Sequence, residues 1–220
     1  MSAFPGLWFS DAVEHNLVLD GHGFRLEPLA LAHVGALAAA VDEAMWSGMS
    51  TPTPRGEVGM VNYVEDTLAT PDCLAFAVID QVSGEVRGST AFCALSHDQG
   101  RAEIGRTFYD RQVWGRVINP VCKFLLLEHA FSTWGLFRVS LRADSRNTRS
   151  IAAITRLGAT YEGTLRGFRL APDGSRADSL SFSILEPEWP RVRAGLLDRI
   201  DPLRRIVVAE EGGRAAGQGG

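Results

Sequence analysis

The chain reads as a single α/β (α+β) domain, and three observations predict that class. Short runs of alternating apolar residues, each the length of a strand, recur from residue 24 to residue 185. Helix-length segments with apolar residues at 3.6-residue spacing are interleaved with them. The 220 residues, 45% hydrophobic and 22% charged, fit one domain with a real core and give no reason for two.

Residues 1–21 carry Phe4, Leu7, Trp8 and Phe9 without periodicity, so they are expected to form an arm that packs on the body or on another subunit. The body then spans 22–205. A strand at 24–28 stops at Pro28, and an alanine-rich helix follows over 29–41. A Pro/Thr/Gly loop at 50–56, expected to be a mobile rim, leads into a helix over 58–68 that ends near Pro71. At 73–79 Leu74, Phe76 and Val78 share one strand face, Gly84 turns the chain, and strands at 86–95 and 102–108 complete a meander.

Alternation along the third of these strands puts Glu103, Gly105 and Thr107 on one face and Ile104 and Phe108 on the other. Residues 111–118 lead into a helix with Asn119 as cap and Pro120 at its first position. Phe124, Leu127, Phe131 and Trp134 form its apolar stripe, and Gly135 ends it. A strand at 137–142, with Phe137, Val139 and Leu141 on one face, precedes a helix at 147–157. Asn147 is suited to cap that helix, Ile151, Ile154 and Leu157 give its stripe, and Gly158 closes it. Strands at 159–170 and 177–185 are joined through Pro172-Asp-Gly174, a hairpin turn sequence, and a last helix covers 188–200. Residues 206–220 form a Gly/Ala/Glu-rich tail without apolar periodicity, expected to be disordered because it buries too little surface to offset its ordering entropy.

A net charge of −4 and a pI near 5.7 give no electrostatic case for nucleic acid or an anionic membrane. The N-terminus lacks a signal-peptide pattern, and no run of ~18 apolar residues exists to span a bilayer, so a cytoplasmic location is expected. Cys73, Cys93 and Cys122 have no CxxC spacing and are read as buried reduced thiols. His15, His22, His33, His97 and His129 are scattered without metal-ligand spacing, so no metal is expected.

The most informative stretch is 147–159, Asn-Thr-Arg-Ser-Ile-Ala-Ala-Ile-Thr-Arg-Leu-Gly-Ala, which places an Asn and a Ser on the first turn of a helix just after a strand. In α/β proteins small-molecule chemistry collects at such points. With Ala-Glu-Ile-Gly at 102–105 and the order of elements over 22–187, it resembles the GNAT superfamily of acyl-CoA-dependent N-acyltransferases, in particular the RimJ/RimL branch.

That resemblance implies a mixed central sheet with helices on both faces, and transfer of acetyl from acetyl-CoA to a primary amine of a small molecule or a protein N-terminus. The implied roles are Glu103 as general base and Ser150 as the acid that protonates the departing thiolate. Asn147 would bind the pantetheine arm or the acceptor. The arm would insert between the strands at 102–108 and 137–142. The pyrophosphate loop falls on Arg111, Trp114, Gly115, Arg116, Val117, Ile118 and Asn119, where backbone N–H groups and a helix dipole would receive phosphate.

Local readings stand beside each role. Glu103 also fits a solvated strand glutamate with an arginine partner, and Asn147 and Ser150 also fit a cap and a first-turn serine. Arg106, where related enzymes carry Trp or Tyr, is expected either to pair with a local carboxylate or to hold a substrate carboxylate. The loop departs from the family's Arg/Gln-x-x-Gly-x-Gly/Ala pattern. Trp114 replaces Arg/Gln, Val117 replaces glycine, Asn119 takes the second small position, and Pro120 removes a donor. Arg111 and Arg116 would supply compensating charge. These departures keep open a second reading: a GNAT scaffold that has given up acetyl-CoA for another small-molecule reaction or a binding or regulatory role. The acceptor, and whether the chain forms a homodimer, are not encoded in any motif.

Overall fold

The computed structural model describes residues 15–49, 51–171 and 174–201. The arm before residue 15 and the expected tail at 206–220 lie outside the described residues. One sheet runs through the molecule in the order β1-β2-β3-β4-β5-β6-β8-β7. Its strands are β1 (Leu19–Gly21), β2 (Phe24–Pro28), β3 (Leu74–Asp80), β4 (Val86–Ser96), β5 (Arg101–Tyr109), β6 (Arg138–Asp144), β7 (Thr160–Leu170) and β8 (Arg176–Leu185). Neighbours are antiparallel except β5 and β6, which are parallel. The helices are α1 (Val34–Ala40), α2 (Glu43–Trp46), α3 (Gly56–Leu68), α4 (Ile118–Glu128), α5 (Thr148–Leu157) and α6 (Trp189–Ile200).

The sequence of β3, Leu-Ala-Phe-Ala-Val-Ile, explains how two layers of helix fit on one sheet. Its large side chains, Phe76 and Val78, enter the core beneath α4, while Ala75 and Ala77 leave room on the other face for Trp46, Met60 and Tyr63. A strand covered on both faces is an apolar run in which size, rather than polarity, alternates. Ile154 and Leu157 of α5 join the α4 core, as does Leu196 of α6.

Several boundaries differ from the sequence expectation. Leu19–Gly21, assigned to the arm, pairs with β2 and belongs to the sheet. The helix expected over 29–41 is a short 3₁₀ turn followed by α1, and beyond it lies a separate unexpected helix, α2, which Asp42 starts by accepting the Met45 N–H at 2.8 Å. The rim after α2 is tied down where Trp46 Nε1 donates to Thr51 O at 2.9 Å. Helix α4 begins at Ile118 with Val117 at the cap position, so Asn119 lies inside the first turn rather than capping it. Burial of Ile118 draws the start of the helix earlier than Pro120 suggests. At its other end α4 widens into a π turn over His129–Thr133 before Gly135. Phe137 is 57% exposed and precedes β6, leaving Val139 and Leu141 to carry the buried face. The β7–β8 hairpin forms as expected, although Pro172 and Asp173 of its turn lie outside the described residues. Cys73 and Cys122 are buried free thiols, whereas Cys93 is only partly buried.

The departure with most consequence is in β5. Ala91 pairs with Gly105 and Ser89 with Phe108, so one residue of β4, Thr90, faces two of β5, Arg106 and Thr107, and Arg106 takes a left-handed φ of 49°. This bulge reverses the alternation. Ile104 enters the α4 core and Phe108 the α1–α3 core, while Thr107 turns to the α4 face, away from the face of Glu103 and Gly105. The expectation that Glu103 and Thr107 share a face is therefore corrected.

Candidate active site

Strands β5 and β6 pair only at Arg101↔Arg138, Ala102↔Val139 and Glu103↔Ser140. Beyond that point β5 stays with β4, and β6 stays with β8 as far as Asp144↔Ser179. The sheet opens into a wedge, and a cavity of about 730 Å³ occupies it. Arg106 and Thr107, skipped by the β4 register and past the end of the β6 register, present backbone that belongs to neither ladder. Backbone N–H groups in such a position need an acceptor from a ligand or solvent.

Glu103 sits at the apex, with its side chain 17% exposed and Oε2 held by Arg142 Nη2 at 2.6 Å. Its Oε1 lies over Gly105, where an added Cβ would be 3.6 Å away, and accepts no hydrogen bond from a described residue. The arginine partner expected for a strand glutamate is thus present, and one oxygen still faces the cavity. Arg142 is steadied in turn over the Phe168 ring, 4.9 Å from its centroid.

Asn147 caps α5, its Oδ1 accepting the Ser150 N–H at 3.0 Å. Its amide also abuts Gly48, where a Cβ would fall 2.0 Å from Nδ2, so only glycine permits this approach. Ser150 lines the cavity with its hydroxyl unengaged by described residues. Arg169 closes the same corner by donating to Gly48 O at 3.1 Å and to Asp144 Oδ2 at 2.6 Å. Asp144, with a side chain only 1% exposed, is held down to about 2 by the Arg146 guanidinium, aided by Arg169, against the opposing effect of burial.

Arg106 does not make the local carboxylate pair expected of it. Its terminal nitrogens donate to Thr67 Oγ1 at 3.0 Å and Thr70 Oγ1 at 2.9 Å, pinning α3 to the bulge, and no described carboxylate pairs with it. The guanidinium is an anchor within the fold, although it borders the cavity.

The expected pyrophosphate segment divides in two. Arg111 is drawn away, donating to Asp42 Oδ1 at 2.8 Å, and does not border the main cavity. Trp114 donates from Nε1 to Tyr109 O at 2.8 Å and lies beneath Arg149, whose Cζ is 3.5 Å from the ring centroid. Gly115 takes a φ of 74°, which glycine adopts without strain, and Gly115, Arg116, Ile118 and Asn119 border the cavity. Val117 is 39% exposed and outside the lining, so its side chain neither blocks nor fills the space.

Sequence reasoning passed over the main source of charge. Arg149 and Arg156, seven residues apart on α5, share a helix face, and with Arg116 and Arg199 they border the cavity without an ion pair to any described carboxylate. Burial, and then Arg111, lowers the pKa of Arg149; burial, and then Arg156, lowers that of Arg199. At Arg149 the nearby Asp42 opposes this shift but is outweighed, so these are cations held near one another with little counter-charge, an arrangement that favours a polyanion. The i, i+7 spacing was the available signal. Among the described residues no group of His, Cys, Asp or Glu is arranged to hold a metal, and no helix is long and apolar enough to cross a membrane.

Comparison with known proteins assigns this architecture. A family model described as an acetyltransferase (GNAT) domain matches residues 24–160. The uncharacterized N-acetyltransferase p20 of Bacillus licheniformis is 30% identical over 132 residues, 59% of this chain and 72% of that protein. A crystal structure from T. thermophilus, assigned only provisionally as an acetyltransferase, is 34% identical with a TM-score of 0.79, covering 91% of this chain and 100% of the other. Mycobacterium smegmatis RimJ in complex with CoA-disulfide shares the fold at 20% identity and a TM-score of 0.68, over 82% of this chain and 90% of that one. The chain belongs to the GNAT acetyltransferase family. It is an acyl-CoA-dependent acyltransferase.

Proposed function

We propose that the protein transfers acetyl from acetyl-CoA to a primary amine, carried by a small molecule or a protein N-terminus, as a RimJ/RimL-type member of its family. The observation that carries this reading is the wedge at Glu103 and Ser140, with unladdered backbone at 106–107 and arginines lining it that form no ion pair with a described carboxylate. The parts fit acetyl-CoA. Arg116, Arg149, Arg156 and Arg199, with the N-terminus of α4, suit its phosphates. The exposed Val117 leaves the backbone of the divergent loop accessible. The pantetheine amides match the free backbone along β5 and β6, and the N–H groups at 106–107 suit a carbonyl oxygen that gains negative charge.

Glu103 Oε1 then takes the acceptor's proton, directly or through water, while Arg142 holds the carboxylate in place. Ser150 protonates the departing thiolate, and Asn147 fixes its position through the first turn of α5. The acceptor amine approaches from the α1–α3 face, where Glu103 lies. A cytoplasmic location goes with this reading, since acyl-CoA is an intracellular co-substrate.

The test is thiol release from acetyl-CoA in the presence of a panel of amines and N-terminal peptides, with acetylated product read by mass spectrometry. Acceptor-dependent release is expected. Absence of saturable acetyl-CoA binding would favour the second reading, a scaffold that has given up acetyl-CoA for another small-molecule reaction or a binding or regulatory role.

A further inference from the structure

Only one of the 22 Lys and Arg residues is a lysine, and it occupies an unusual place. Lys123 lies on α4, 7% exposed, and borders the cavity. Its Nζ donates to Thr107 Oγ1 at 3.0 Å; that hydroxyl is 2.8 Å from Thr90 Oγ1 and donates to Gly105 O at 3.2 Å. No described carboxylate pairs with it. The bulge at Arg106 brings this about, because it turns Thr107 to the α4 face beside the backbone that belongs to neither ladder. The amine therefore sits one hydroxyl away from the position assigned above to the thioester carbonyl, and across the sheet from Glu103.

An arginine at this position would supply charge and remain inert, since a guanidinium stays protonated. A lysine differs in becoming a nucleophile once it loses its proton, which a dry, carboxylate-free setting promotes. Burial pushes Lys123 down to about 8, with Cys122 and Cys93 opposing that shift.

We propose that Lys123 is an acylation site of the protein itself, its Nζ accepting the acyl group of a bound acyl-CoA thioester. This rests on the acyl-CoA reading of the wedge. The neutral amine attacks the thioester carbonyl, a C–N bond forms, and the C–S bond breaks. The sulfur leaves as a thiolate and takes up the proton released from nitrogen. The products are an Nε-acyl-lysine and free CoA. The amide retains one N–H for Thr107 and loses the positive charge, and the acyl group then occupies part of the cavity.

The test incubates the full chain with acetyl-CoA and examines the peptide spanning 117–138, which holds the lysine, while calorimetry reads acetyl-CoA binding separately. The expected result is a gain of one acetyl mass on Lys123, suppressed by excess CoA and absent in Lys123→Arg. Binding of acetyl-CoA with Lys123 left unmodified would overturn this inference and leave the transferase reading standing. Acetylation unaffected by excess CoA would also overturn it, because bulk chemistry rather than the bound thioester would be the source. The competition arm uses the native chain and holds even if the variant fails to fold. Absence of acetyl-CoA binding would overturn both readings.

Discussion

Single residues of this site differ in how far the sequence discloses them. Glu103 was legible from its tetrapeptide, and its arginine partner from the ordinary behaviour of strand glutamates. Arg106 was not, because a left-handed residue other than glycine inside a strand leaves no compositional mark, and the reversal it imposes on Thr107 and Phe108 follows from that angle. Glu103→Gln removes the base while keeping the side chain's shape, so kcat should fall by on the order of 10²-fold with acetyl-CoA affinity unchanged. A fall of less than about threefold at saturating substrate would remove Glu103 from the mechanism. Val117 offers a complementary case. Its side chain is exposed and its backbone helical, so Val117→Gly should retain acetyl-CoA affinity and lower stability by roughly 0.5–1 kcal/mol through backbone entropy. A large loss of affinity, measured beside the melting temperature, would mean that the valine shapes the loop.

At the level of elements, α5 is legible at both ends, because caps are local chemistry: Asn147 holds the Ser150 N–H and Gly158 closes with φ 93°. The arginines on its neighbouring face are less legible, since their i, i+7 spacing forms no local motif. Helix α4 illustrates the opposite limit. Proline and asparagine signals placed its start two residues late, because tertiary burial of Ile118 outweighed them. Asn147→Ala should cost about 1 kcal/mol as a lost cap and also disturb the contact with Gly48, whereas Ser150→Ala should leave stability nearly unchanged and slow turnover. Thermal melts of the two variants check this, and equal shifts would contradict it.

The whole molecule sets a net charge of −4 against a cavity where cations outnumber carboxylates, and that contrast is a property of the fold, invisible in composition. Its order of elements was legible because the strands and helices carry clear periods; the wedge was not, since it depends on where pairing between β5 and β6 stops. Lys123 links the site to global stability. Its pKa is about 8 in the fold against an ordinary 10.5, so the unfolded chain binds more protons between those values and stability rises as pH increases through that window. Lys123→Met should raise the melting temperature at pH 7 and abolish that rise; a variant with the same pH profile as the native chain would contradict it.

Whether the wedge and its arginines receive acetyl-CoA is decided by calorimetric titration of acetyl-CoA into the native chain and into a variant with Arg149→Ala and Arg156→Ala. Saturable binding by the native chain is expected with a Kd in the range ~1 μM–1 mM, and at least about tenfold weaker binding by the variant, each tenfold corresponding to about 1.4 kcal/mol. Absence of saturable binding by the native chain, or equal affinity in the two proteins, would contradict it.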